Sequence, residues 1–129
     1  MKIETHDLLS IAGSLVLAYG LMTTLVASAQ DEPLSYKASP EAYKLLAEND
    51  QFRVILQTSK PGQRDAWHSH SALAIYRLSE CTSRLYLPNG KYTDADRKQG
   101  EVAFLPAVVS HSFENTGKTD CEALIVERK

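Results

Sequence analysis

The chain has 129 residues and a formal charge of −2, with 14 Lys and Arg set against 16 Asp and Glu. The two signs are interspersed, which leaves no basic surface for nucleic acid or an anionic membrane, and no nucleic-acid partner is expected. The length suits one hydrophobic core rather than two, and no repeat or low-complexity tract divides it.

In chain order, the opening segment carries an apolar run, IAGSLVLAYGLMTTLV, followed by Ala27-Ser28-Ala29 and then polar residues. This small-x-small pattern marks residues 1–29 as a secretory signal peptide, cut after Ala29. Lys2 is opposed by Glu4 and Asp7, so the alternative is an uncleaved anchor, the only case in which the chain would touch a membrane. The run is slightly shorter than the roughly 20 residues a full span needs. On either reading the rest of the chain faces an oxidising compartment, periplasmic or secreted. Cys81 and Cys121 both lie in that part, and their even count makes a disulfide the leading reading over two buried thiols or a redox pair. On the chain-entropy account such a bridge stabilises the fold by about 4 kcal/mol.

Residues 30–51 read as an N-terminal extension, either a helical turn or a first edge strand. From Phe52 the pattern becomes strand chemistry: FRVILQTS, the turn KPGQ, then AWHSH, ALAIYRLSE and SRLYLP. Asn89-Gly90 supplies a two-residue hairpin signal that requires positive φ at both central positions. Tyr86 and Tyr92 bracket it as cross-strand packing residues. EVAFLP, VVSHSFENTG and CEALIVERK complete a series of short, evenly spaced strands, and residues 52–129 form one all-β domain, a sandwich or barrel.

Of the four histidines, three lie past the signal segment. Strand alternation puts His68 and His70 on one face with Ser69 on the other, and groups Val109, His111 and Phe113 on one face of a late strand. A pair at i, i+2 plus a third histidine from a facing strand can bring three imidazole nitrogens to one point, as divalent transition metals require.

These residues resemble the cupin superfamily. Gly62, five residues and His68-Ser69-His70 match the start of its first motif, and Gly100, Pro106, His111 and Asn115 keep every spacing of its second. Glu48-Asn49-Asp50, Arg53-Val54 and Glu114-Asn115-Thr116-Gly117 are similar to the small stand-alone bacterial members. The resemblance implies a single-domain antiparallel jelly-roll β-barrel holding one divalent metal, Fe, Mn, Ni or Zn, on His68, His70 and His111, and pairing as a homodimer. It departs at the motif's glutamate, whose place falls on Leu73, Ala74 or Ile75. It departs again where Glu80 replaces a glycine, and at Val108, where a glycine's turn must be made by a residue that disfavours positive φ.

Two functions follow from the resemblance: a small-molecule metalloenzyme of dioxygenase, isomerase or lyase type, or a non-catalytic, metal-dependent small-ligand binding protein. The ligand in either case is a small polar or anionic molecule. Gln63, Tyr76 and Arg77 are the candidates to bind it, with Arg64 nearby. Tyr76 and Arg77 are strand neighbours, so only one of them can point inward. Trp67 points away from the metal face.

Overall fold

The computed structural model describes residues 32–129; the expected signal segment lies outside the described residues. Among the described residues one short helix, α1 (Ser35–Ala38), precedes nine strands: β1 (Tyr43–Glu48), β2 (Phe52–Ser59), β3 (His68–His70), β4 (Leu73–Arg77), β5 (Cys81–Tyr86), β6 (Tyr92–Arg97), β7 (Val102–Leu105), β8 (Val108–Asn115) and β9 (Cys121–Arg128). They form a five-stranded sheet in the order β1-β2-β9-β4-β7 and a four-stranded sheet in the order β3-β8-β5-β6. The pairings within both sheets are antiparallel.

Alternation fixes the inner surface. In β9, Cys121, Ala123, Ile125 and Glu127 are buried while their neighbours are half-exposed, the pattern of a strand with one face on a core. Across the five-stranded sheet, Leu45, Ile55, Ile125 and Ile75 stand in one register row. With Ala42, Tyr43, Leu73 and Ala123 they make the main core, and each buried Ile or Leu contributes about 1.5–3 kcal/mol. The Cys81–Cys121 disulfide joins the two sheets, and Phe113 packs against it.

Of the segment before Phe52, residues 32–51 are described and pack against the sheet. The segment contains both of the expected alternatives, the helical turn α1 and the edge strand β1. β1 pairs with β2 along its length, and Ala42 and Tyr43 belong to the core. The sheet therefore starts at Tyr43.

Two local expectations are corrected. The hairpin between β5 and β6 uses a three-residue loop, Pro88-Asn89-Gly90, in which only Gly90 has positive φ (79°). Pro88 favours the ordinary turn that precedes such a glycine. Val108 makes no tight turn: it lies within β8, paired with His70. Between the His68↔His111 and His70↔Val108 pairs, β8 spends three steps where β3 spends two. The extra residue of this bulge breaks the alternation. Val109 is consequently turned out, 70% exposed, instead of sharing a face with His111.

Candidate metal centre

His68 and His70 sit two apart on β3, and His111 lies directly across from His68 on β8. All three are buried, and their ligand nitrogens lie within 4.8 Å of one another. His68 Nε2 is 3.0 Å from His70 Nε2 and 2.9 Å from His111 Nε2. The rings meet edge to face, as they must if their Nε2 atoms converge.

The other ring nitrogens decide what these contacts are. His68 Nδ1 lies 2.8 Å from the Ala66 carbonyl oxygen, which can only accept, so Nδ1 carries the hydrogen. His70 Nδ1 is 2.6 Å from Glu127 Oε1, again an acceptor when the carboxylate is ionised. In the Nδ1–H tautomers that these acceptors hold, both rings present an Nε2 lone pair to the centre. Two lone pairs 3.0 Å apart repel, and a shared cation relieves the repulsion. Two nitrogens each about 2.1 Å from one ion are about 3.0 to 3.4 Å apart, close to the separations seen here. The donor set thus fits a divalent transition metal.

The surroundings disfavour charge on two of the rings. Burial, followed by the neighbouring His68 and His70 rings, pushes His111 down to about 3. Burial also lowers His68, partly offset by Asp65. Asp65 Oδ1 stands 3.6 Å from His68 Nδ1 and accepts the Phe113 amide at 2.6 Å, while Oδ2 accepts the Tyr43 hydroxyl at 2.7 Å. Burial raises both Asp65 and Tyr43 above their ordinary values. Glu127 is fully buried; one of its oxygens holds His70, and the other lies 3.8 Å from an Arg53 guanidinium nitrogen.

Asp65, Tyr43 and Glu127 were not expected at the site. The signal for Glu127 was its parity, since it continues the Cys121, Ala123, Ile125 series and so must point inward with them. Asp65 sits in a loop, where alternation gives no direction. The motif asparagine, Asn115, does not face the centre. Its side chain donates to the Ser59 and Thr119 carbonyls at 2.8 Å each and accepts the Gly117 amide at 2.9 Å, which ties the loop after β8 to β2.

A cavity of about 410 Å³ adjoins the centre, and both His70 and His111 line it. Arg77 lines it too, whereas Tyr76 faces outward and is 45% exposed. Of the two strand neighbours it is Arg77 that points in. Gln63 lies away from the cavity: its side-chain Oε1 accepts the Lys60 amide across the Pro61-Gly62 turn. Arg64 is also outside, stacked 3.7 Å over the Tyr86 ring and donating to Ser112 Oγ, with Trp67 beyond it. A second hollow, bordered by Leu34, Lys37 and Val109, touches only one of the three imidazoles, His70.

The cupin-domain family pattern matches residues 55–127, more than half of the chain. The chain belongs to the cupin family. Its fold is similar to that of a cupin domain from Bordetella pertussis Tohama I, with TM-score 0.63, 20% identity, and coverage of 78% of this chain and 98% of the other. A cupin superfamily protein from Desulfitobacterium hafniense gives TM-score 0.51 at 14% identity, covering 67% and 74%. A polyketide cyclase from Streptomyces resistomycificus gives 0.52 at 23% identity, covering 67% and 63%. Among curated proteins none matches the chain significantly. At these identities the cupin likeness carries the fold, and any function must be argued from the site.

Proposed function

We propose that this cupin binds one divalent transition metal, Fe, Mn, Ni or Zn, through His68, His70 and His111, and uses it to hold a small molecule in the adjoining cavity. The carrying observation is the convergence of lone-pair nitrogens whose opposite ring nitrogens are committed as donors to Ala66 and Glu127. When bound, the ion supplies Lewis-acid polarisation to an oxygen of the ligand. Ala66 and Glu127 fix the ring orientations, Asp65 and Tyr43 brace His68 from behind, and the apolar wall excludes water.

Among the described residues no carboxylate lines the cavity. Tyr43 does line it, but its hydroxyl is engaged by Asp65 and Gln57. A metal-dependent binding protein needs no free acid or base and is supported by this lining. An enzyme of dioxygenase, isomerase or lyase type would have to draw its proton chemistry from the ligand or the ion. The inter-sheet disulfide is compatible with a periplasmic or secreted location.

The test is metal analysis of natively exported protein purified without chelator or affinity metal, beside His111→Ala. About one equivalent of metal is expected in the parent and little in the variant, with the β-sheet spectrum of both retained. Equal metal content in the two proteins would refute the three-histidine centre.

A further inference from the structure

Three of the chain's arginines have partners on the protein. Arg84 forms a two-pronged ion pair with Asp94, Arg64 bonds Ser112 and stacks on Tyr86, and Arg53 lies beside Glu48 and Glu127. Arg77 and Arg97 differ. Both line the cavity, and among the described residues neither guanidinium has a hydrogen-bonded or ion-paired partner. Each is placed there by strand parity. Leu73, Ile75 and Arg77 are successive inward positions of β4, and Thr93, Ala95 and Arg97 are successive cavity-lining positions of β6. Arg97 is paired with Cys81, whose disulfide partner Cys121 is two residues from Ala123, the register partner of Arg77. The two guanidiniums thus reach the same end of the cavity from opposite sheets.

Burial lowers Arg77, and the like charge of Arg97 lowers it further, with Tyr43 and Glu101 opposing. Arg77 is half-buried and Arg97 exposed, so the pair stands at the cavity's solvent-facing end; two like charges on facing strands repel unless an anion joins them, and a planar guanidinium pair matches a carboxylate. Between this end and the imidazoles the wall is apolar: Leu85, Leu105, Phe113 and Ile125 line it. Along β4, Leu73 and Arg77 are separated by about 13 Å of strand.

We propose that the cavity's ligand is an organic anion with an apolar body, its carboxylate held by Arg77 and Arg97 and its far end directed at the histidine centre. The arginines select for the charge, the wall for the apolar body. The placement of the far end rests on the metal reading above; the carboxylate site does not.

The experiment uses the protein as purified, with its metal content measured, and titrates it calorimetrically with 4-phenylbutanoate and with the neutral 4-phenylbutanamide. Parent protein is compared with Arg77→Gln, Arg97→Gln and Arg77→Lys. The expected result is that the carboxylate binds better than the amide, and that each Gln variant weakens the carboxylate about 10- to 100-fold while leaving the amide unchanged. Arg77→Lys should recover part of the loss. Unchanged amide binding shows that the variants remain folded around an intact cavity. Carboxylate binding that is absent in the parent, or equal in parent and Gln variants, overturns the proposal. A metal-free protein with arginine-dependent carboxylate binding would refute the metal centre and uphold the anion site; a metal-loaded protein with arginine-independent binding would do the reverse.

Discussion

Glu127→Gln isolates the charge behind the centre without changing its shape. Glu127 is 0% exposed, holds His70 Nδ1 at 2.6 Å, and is faced at 3.8 Å by an Arg53 guanidinium nitrogen. The amide oxygen can still accept the His70 hydrogen, so ring orientation survives, but the negative charge that makes the opposite Nε2 a better donor is lost. Partners of this kind are typically worth 10- to 100-fold in metal affinity, or about 1.4 to 2.7 kcal/mol. The lost charge also leaves Arg53 facing a neutral group, and unbalancing a fully buried pair costs about 3–5 kcal/mol. Arg53 keeps some solvent contact and lies 3.5 Å from Glu48, so the stability loss should fall below that range. The assay is competition between protein and a chelator of known affinity, beside urea denaturation of the metal-free proteins. Weaker metal binding by at least tenfold, with a folded metal-free variant, is the expected outcome. Affinity equal to the parent's would refute the idea that Glu127 tunes the centre through His70.

Asn115→Ala removes three hydrogen bonds, to the Ser59 and Thr119 carbonyls and from the Gly117 amide. At about 1 kcal/mol each the loss is about 3 kcal/mol, read from the urea midpoint, and metal content should be unchanged because the side chain touches no histidine. A variant that loses metal while keeping its stability would show Asn115 to act on the centre instead. Replacing Cys81 and Cys121 together by serine opens a bridge across a sequence separation of 40 and should cost about 4 kcal/mol. A double variant as stable as the parent would mean the bridge constrains nothing that the sheets do not already hold.

The fold was legible because its strands are amphipathic at period two and bounded by Gly, Pro and Asn. β2, β4, β8 and β9 follow directly from that rule. The histidine trio was legible for the same reason: two share a strand, and the third lies on a strand that follows a Gly–Pro signature. What escaped detection has physical causes. KYTDADR reads as a polar passage, but β6 is a sheet edge with solvent on much of it, so it needs no apolar alternation to form a strand. The bulge in β8 is invisible to a parity rule, which assumes one residue against one, and it reversed Val109. Gln63 and Tyr76 were grouped with the site by nearness in sequence, yet a turn hydrogen bond claims the first and outward parity the second.

The missing motif glutamate has a structural counterpart that gives the centre its character. Counting back from the motif's second-glycine position places that glutamate on Leu73, and Leu73 is the register partner of Glu127 on β9. A carboxylate is therefore retained at the same level of the barrel, one strand over. From there it reaches the far nitrogen of His70 rather than the point where the Nε2 atoms converge. The consequence is electrostatic. A divalent ion on three neutral imidazoles keeps its full charge toward the cavity, whereas a carboxylate ligand would cancel half of it. With the metal bound as proposed, a doubly positive centre on one side and two unpaired guanidiniums on the other would make a cavity that stabilises negative charge at both ends. The apolar wall between them strengthens both effects by keeping water away. On the proposed reading, a carboxylate behind His70 instead of in the cavity would thus link the choice of ligand to the choice of metal donors.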